Sequence, residues 1–266
     1  MLNQLNMNGL NKVEVGIKRL QMFEPDEGYY LCFSGGKDSS VIKALADMAG
    51  VKYDAHYSLT SVDHPELVRF IKDKHPDVLF EVPRYKDGTR ITMWNLIPRK
   101  KMPPTRVVRY CCDSLKEHGG EGRFCITGVR HAESAKRATR GGLEAANGSS
   151  RKRIQLDPDN PDNEEMVRIC PTKGKHIINP IIDWEEDDVW EFIKAYNVPY
   201  CTLYDKGYKR LGCIGCPMST NKKNELEAYP KYKQAYIRAF DRMLKNRKEV
   251  ADWETGQDVY NWWISK

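Results

Sequence analysis

Short apolar runs alternate with stretches of helical periodicity along most of this chain. The run "GYYLCF" (residues 28–33) is continuous, apolar and aromatic, which is the pattern of a buried strand. In "DSSVIKALADMAG" (38–50), Val41, Ile42, Leu45 and Met48 recur near the helical period and Gly50 supplies a stop, so a helix is predicted. "YDAHYSL" (53–59) reads as a second strand and "DVLFEV" (77–82) as a third. Between them, "DHPELVRFIKDKH" (63–75) reads as a helix with Asp63 as its N-cap and Pro65 in its first turn. Further on come a short helix in "CDSLKEH" (112–118), a fourth strand in "RFCITGV" (123–129) and a helix in "DWEEDDVWEFIKAY" (183–196). The last of these carries acids in its first turn, where the helix dipole favours them. This order predicts an α/β fold, a parallel β-sheet flanked by helices in the Rossmann-like manner.

Three stretches stand apart from the alternation. Residues 1–24 pattern as an amphipathic N-terminal helix. Residues 138–166, "ATRGGLEAANGSSRKRIQLDPDNPDNEEM", are rich in Gly, Asn, Asp, Pro and Ser and lack a period, so a long mobile loop or lid is predicted. From Glu225 onward apolar and charged residues alternate at helical spacing. The domain expectation is therefore a central domain over 25–220 and a helical C-terminal extension over 221–266.

Composition narrows the class. The 266 residues are 40% hydrophobic and 30% charged, and no apolar run reaches the roughly 20 residues of a membrane helix. The start of the chain is too polar for a secretory signal, so a cytoplasmic protein with no membrane partner is expected. The net charge of +6 biases the chain toward anionic ligands. Basic residues gather in two places: residues 84–109 hold eight Lys and Arg against one acid, and residues 222–248 hold nine against three. Each reads either as a solvated face or as a phosphate-lined approach to a site.

The chemistry begins at "SGGKDSS", residues 34–40, between the first predicted strand and helix. Gly35 and Gly36 allow a sharp turn and close approach of a ligand. The helix start offers unpaired N–H groups and a positive dipole end, and Ser34, Ser39 and Ser40 add hydroxyls. Together with Lys37 and Asp38 they form a cradle for a phosphate or pyrophosphate. The G-x-x-x-x-G-K-S/T spacing of a Walker A loop is absent. Arg130 follows a predicted strand end, where α/β folds bind ligands, and Arg130 and Arg137 offer forked hydrogen bonds to phosphate or sulfate, with Glu133 placed to orient either. Trp184 and Trp190 read as packing residues.

Eight cysteines are present. In a cytoplasmic chain they are not expected to form structural disulfides. Cys111 and Cys112 are adjacent, and Cys213 and Cys216 form a C-x-x-C. Two such pairs point to a four-thiolate site for zinc or an iron–sulfur cluster, with free or redox thiols as the alternative. Adjacent cysteines suit separate irons of a cluster better than one tetrahedral zinc. Cys32, Cys125, Cys170 and Cys201 are expected to be unligated, the first two as core residues of strands.

The loop "SGGKDSS" resembles the PP-loop of the adenine nucleotide alpha-hydrolase superfamily. "ITGVRHAESAKRA" (126–138), "NPIIDWEEDDVWEFI" (179–193) and "YNVPYCTLYDKGYKRLGCIGCP" (196–217) resemble, in order, three blocks of the phosphoadenosine phosphosulfate (PAPS) reductase family. The resemblance implies that residues 34–40, with Gly128, Arg130, Glu133, Ser134 and Arg137, hold an adenine nucleotide: ATP, adenylylsulfate (APS) or PAPS. It implies one [4Fe–4S] cluster on Cys111, Cys112, Cys213 and Cys216, as in the APS reductase branch, with Lys116 facing the cluster or the substrate anion. It implies Mg²⁺ with ATP, which Asp38 would help to place.

One departure bears on activity. Sulfonucleotide reductases of this family attack sulfur with a cysteine in a C-terminal motif, and no cysteine follows Cys216 here, where the sequence runs on to "DVYNWWISK". The leading expectation is therefore an ATP pyrophosphatase or adenylating enzyme in sulfur transfer, with Lys37, Asp38 and Arg130 as catalytic candidates. Its expected partners are a nucleic-acid acceptor and a sulfur donor. The alternatives are an APS or PAPS reductase, served by a thioredoxin-like partner and by a free cysteine such as Cys170 or Cys201 or one on a partner, and a nucleotide-binding regulatory module without turnover.

Overall fold

The computed structural model describes residues 2–6, 8–146, 153–169, 175–247 and 253–265. The chain divides into two compact units, the first made of Met1–Tyr57, Arg69–Leu79 and Gly120–Arg210, the second of Ser58–Val68, Phe80–Gly119 and Leu211–Lys266.

The first unit carries the sheet. Its early elements are α1 (Lys12–Met22), β1 (Tyr29–Cys32), α2 (Lys37–Ala49) and β2 (Tyr53–Ser58), followed by α3 (Pro65–Lys74) and β3 (Leu79–Glu81), both of which the division between units cuts. After Gly120 come β4 (Phe124–Ile126), a single 3₁₀ turn at His131–Glu133, and β5 (Leu143–Ala146). Then follow β6 (Arg153–Leu156), α6 (Asp162–Ile169), β7 (Lys175–Ile178) and α7 (Glu186–Ala195). The strands form one sheet in the order β3-β2-β1-β4-β7-β5-β6. β1 pairs in parallel with β2 and β4, and β4 with β7. β5 pairs antiparallel with both β7 and β6. The sheet is thus mostly parallel and flanked by helices, as expected. Strand order reverses at β1 and β4, so the loops leaving these two neighbours open side by side, where doubly wound folds hold their ligands.

Burial explains the periodicity. Val41, Ile42 and Leu45 of α2 are fully buried, whereas Met48, assigned to the same face from sequence, is 42% exposed. A straight helix drifts past the seam, and Ala49 takes the buried position instead. α1 begins with Asn11 as N-cap, in a capping box with Glu14. Its buried Arg19 binds Asp159 and Asp183. Trp184 is buried against Phe192, as its packing role requires.

The stretch 138–166 differs from its expectation. Its described residues include β5, β6 and the start of α6, with Leu143 opposite both Leu156 and Ile178. The strands are four residues each and their signal is lost among Gly, Asn and Ser. Pairing with β7, not local propensity, makes them strands. Cys170 lies outside the described residues.

The second unit is helical: α4 (Met93–Lys100), α5 (Tyr110–Lys116), α8 (Lys222–Ala228), α9 (Pro230–Lys245) and α10 (Gly256–Ser265). α9 packs on α4 and α10 around a core that includes Ile97, Tyr236, Phe240, Met243 and Trp263. Asp63 does not cap α3: its carboxylate turns back to accept the N–H and hydroxyl of Thr60, each at 2.7 Å. Among the described residues no helix is long and apolar enough to cross a membrane.

Candidate functional site

Two groups of side chains carry chemistry, one in each unit. In the first unit the chain leaves β1 through Ser34 and turns at Gly35, whose φ of 72° lies in the left-handed region that favours glycine. Gly36 is the N-cap of α2 and offers no side chain to its N–H groups. The serines brace this turn. Ser39 Oγ donates to the Gly36 carbonyl at 2.8 Å, and the Ser34 and Ser39 hydroxyls are 3.1 Å apart. Ser40 Oγ is buried with no hydrogen-bond partner among the described residues. Gly128, after β4, lies directly against the start of α2: a Cβ there would stand 3.1 Å from the carbonyl of Asp38. The expected loop, glycine and serines are therefore brought together by β1 and β4 being neighbours.

The charged residues arrange differently from the expectation. Arg130 is 2% exposed and its guanidinium is engaged inside the unit. Its Nε donates to Asp38 at 2.7 Å, Nη2 to Glu186 at 2.8 Å and Nη1 to the Trp184 carbonyl at 3.3 Å. Lys37, also buried, lies 3.1 Å from Asp38 and 3.4 Å from Glu186. Arg130 was expected to fork a ligand anion; instead it holds Asp38 in place, because a buried guanidinium requires carboxylate partners. Asp38 in turn has one oxygen on Arg130 and the other on Lys37.

Glu133 touches both arginines, as expected. It accepts the Arg130 N–H at 3.1 Å and pairs with the Arg137 guanidinium. Ser134 Oγ accepts the Arg137 N–H at 3.3 Å and so shapes the turn. Burial, then Arg210, with further cations at Arg140 and Arg130, hold the Arg137 guanidinium below its ordinary value. Of these cations Arg130, Arg137 and Arg140 are each paired with a carboxylate, so their charges are largely balanced within the unit.

Four participants were not singled out from sequence. From sequence Glu186 is only one of the first-turn acids of α7. Arg140 is anchored on buried Glu144 through two hydrogen bonds, and Arg210 sits far along the chain. Tyr204 is the fourth: its hydroxyl accepts the Lys37 N–H at 2.9 Å and would lie 3.3 Å from a Cβ at Gly36. Burial raises its phenol far above the ordinary value, so it stays neutral.

In the second unit α5 carries Cys111 and Cys112, and a turn in which the Cys216 N–H donates to the Cys213 carbonyl carries the other pair. Gly215 in that turn has φ 71°, and a Cβ there would meet ring atoms of Tyr236 and Trp263 at 3.1 and 3.2 Å. All four thiols are free. They feel one another: the Cys111 thiol is pushed up by its bond to Cys112, by burial, and by the charges of Cys213 and Cys216. Cys112 is drawn toward thiolate by the Cys111 hydrogen bond, with Lys116 and Arg109 adding to it. Burial raises Cys216, and the neighbouring Cys213 holds the Lys116 ammonium above its ordinary value. Cys213 Sγ also lies 3.5 Å from the Thr60 hydroxyl. Among the described residues, no three His, Cys, Asp or Glu side chains gather closely enough for one metal ion.

Comparison with known proteins shows the family and the fold. The phosphoadenosine phosphosulfate reductase domain matches residues 28–219. An uncharacterized protein of Methanocaldococcus jannaschii is 26% identical over 82% of this chain and 49% of its own length. The adenosine 5'-phosphosulfate reductase of Allochromatium vinosum is 29% identical over 56% of each chain. The chain thus spans about half the length of these two relatives. Among solved structures, the PAPS reductase of Candida auris in its phosphate complex superposes with a TM-score of 0.50 at 16% identity, over 79% of this chain and 96% of that one, a likeness of fold.

Proposed function

The chain belongs to the phosphoadenosine phosphosulfate reductase family of the adenine nucleotide alpha-hydrolase superfamily, and on that premise we propose that it is an adenylating enzyme of the ATP pyrophosphatase kind. The triphosphate of ATP would rest on residues 34–40, against the first turn of α2, with Arg137, Arg140 and Arg210 answering its charge. An oxygen of an acceptor attacks the α-phosphorus, the bond to the β-phosphate oxygen breaks, pyrophosphate leaves and the acceptor's proton passes to solvent. The chain supplies position and fixed charge. Asp38 has both oxygens engaged by Arg130 and Lys37, so Mg²⁺ enters this reading held by the phosphates of the nucleotide.

The observation that carries this reading over sulfur attack is the placement of the thiols in the first unit. Cys201 and Cys125 are 1% and 2% exposed, and Cys32 is half-buried and hydrogen-bonded to Cys125. None of these described thiols is offered as a nucleophile to a sulfonucleotide.

The four thiols of the second unit fit a [4Fe–4S] cluster by their chemistry. They are sulfur donors only, they share one electrostatic environment, and a cube of irons spreads its ligands wider than a single ion does. Such a cluster, when bound, would supply a sulfur- and electron-handling centre.

A second reading, sulfite production from APS or PAPS, is favoured by the relative named as an APS reductase. Anaerobically purified protein given Mg-ATP, and separately APS or PAPS with reduced thioredoxin, decides between them. Pyrophosphate without sulfite is the expected result. Sulfite without pyrophosphate would replace this reading with the reductase, and nucleotide binding without either product would make the chain a regulatory module.

A further inference from the structure

The two basic stretches of the sequence meet in the second unit. That unit holds 19 Lys and Arg against 13 Asp and Glu, whereas the first unit holds 24 of each, so the whole net charge of +6 belongs to the second. The excess is organised. α4 from the first stretch packs on α9 from the second. The cleft along them is lined by Asn95, Pro98, Arg99, Arg242, Lys245 and Asn246. Arg99 also lines a second cleft, with Arg84, Tyr85, Lys86 and Asp87. Both are open grooves on the surface, each of about 460 Å³.

Five cations line the two clefts against one acid. Arg84, Lys86, Arg99, Arg242 and Lys245 are exposed, and none forms an ion pair among the described residues. The acid of the two linings, Asp87, accepts the Thr89 N–H at 2.8 Å and also feels the charge of Arg99, without forming an ion pair with it. Two guanidinium groups are held by backbone carbonyls: Arg242 donates to Trp94 at 2.6 Å, and Arg84 to Gly88 at 2.8 Å. The Arg99 guanidinium stacks 4.2 Å over the Tyr85 ring, which leaves a planar cationic surface at the meeting point of the clefts.

We infer that these joined clefts bind a single-stranded nucleic acid, its phosphates on the five cations and a base on the Arg99–Tyr85 stack. Unpaired cations along a groove recognise a phosphate backbone, and a planar guanidinium on an aromatic ring accepts an unstacked base. An acidic peptide would answer the charge but not the stack. The inference deepens the proposed function, naming the class of its acceptor, and rests on that reading for the acceptor role alone; the binding itself does not need it.

The test is fluorescence anisotropy with the full chain and a labelled oligouridylate, the matching DNA strand and a DNA duplex. Both single strands should bind more tightly than the duplex, and the affinity for RNA against DNA shows which sugar is preferred. The slope of log Kd against log salt should be about 3.5, from roughly 0.7 per neutralised phosphate and five cations. Arg99→Glu with Arg242→Glu should weaken single-strand binding about tenfold or more and lower that slope by about 1.4. Thermal melting establishes that the double variant is folded. If it is not, Arg99→Gln alone and the salt slope of the unmodified protein carry the test. Absence of binding at low salt, a flat salt dependence, equal binding of duplex, or an unchanged folded double variant each overturn the inference. ATP titrated into the same protein separates the two readings: strand binding without ATP binding removes the adenylating function and leaves this surface standing.

Discussion

Tyr204 illustrates how one side chain can govern the loop at α2. Gly36 cannot cap the helix, and the Tyr204 hydroxyl takes the Lys37 N–H in its place. That N–H is one of the donors an anion would need. Tyr204→Phe should therefore lower the thermal stability of the empty protein by about 1 kcal/mol, the usual net worth of one hydrogen bond, and tighten pyrophosphate binding several-fold. Trp190, whose ring lies 5.4 Å from that of Tyr204, gives a fluorescence signal for the titration. Weaker binding would mean that the phenol donates to the anion instead. His75 makes a pH prediction. It is buried between Phe33 and Phe70, with Nε2 lacking a partner among the described residues. Burial first, and then Lys43, push its imidazole below the ordinary value. The unfolded chain thus binds the proton more readily, so the contribution is complete above about pH 6.5 and is lost as pH falls below it. The melting temperature should drop between pH 7.5 and 5.5, and His75→Leu should flatten that slope.

Elements matter through their close approaches. Gly128 brings the loop after β4 against the first turn of α2, and Gly128→Ala would press a methyl into backbone at 3.1 Å. The expected cost is about 1–3 kcal/mol, seen as a lower melting temperature together with weaker ATP binding. Loss of stability with unchanged ATP affinity would separate this contact from the nucleotide site. At this scale much was legible in the sequence. The strands β1, β2, β3 and β4 and the helices α2, α3, α5 and α7 follow from apolar runs, periodicity and stops. The hairpin β5–β6 and strand β7 were not legible. Their four-residue strands are defined by partners across the sheet, and Glu144 is buried in β5 because Arg140 neutralises it. A buried charge looks like a loop residue until its partner is known.

Across the whole molecule, the two cysteine pairs and the excess positive charge both fall in the second unit. If the four thiols of the second unit bind a cluster, anaerobic protein should hold about four irons per chain, and Cys213→Ser should lower iron and its visible absorbance without abolishing ATP binding. Retention of zinc in place of iron would correct the cofactor. The sequence by itself determined the sheet class, the glycine turn with its serines, and the pairs Cys111–Cys112 and Cys213–Cys216 as candidates. Those signals are local, written in the spacing of residues within a few turns of one another. Only the tertiary structure decided that Arg130 faces Asp38 and Glu186 rather than an open site, that Tyr204 reaches the loop, and that the net charge lies in one unit. Whether a charge is free or neutralised depends on its partner in space. For Arg130 and Glu186 that partner is 56 positions away, and no local pattern encodes it.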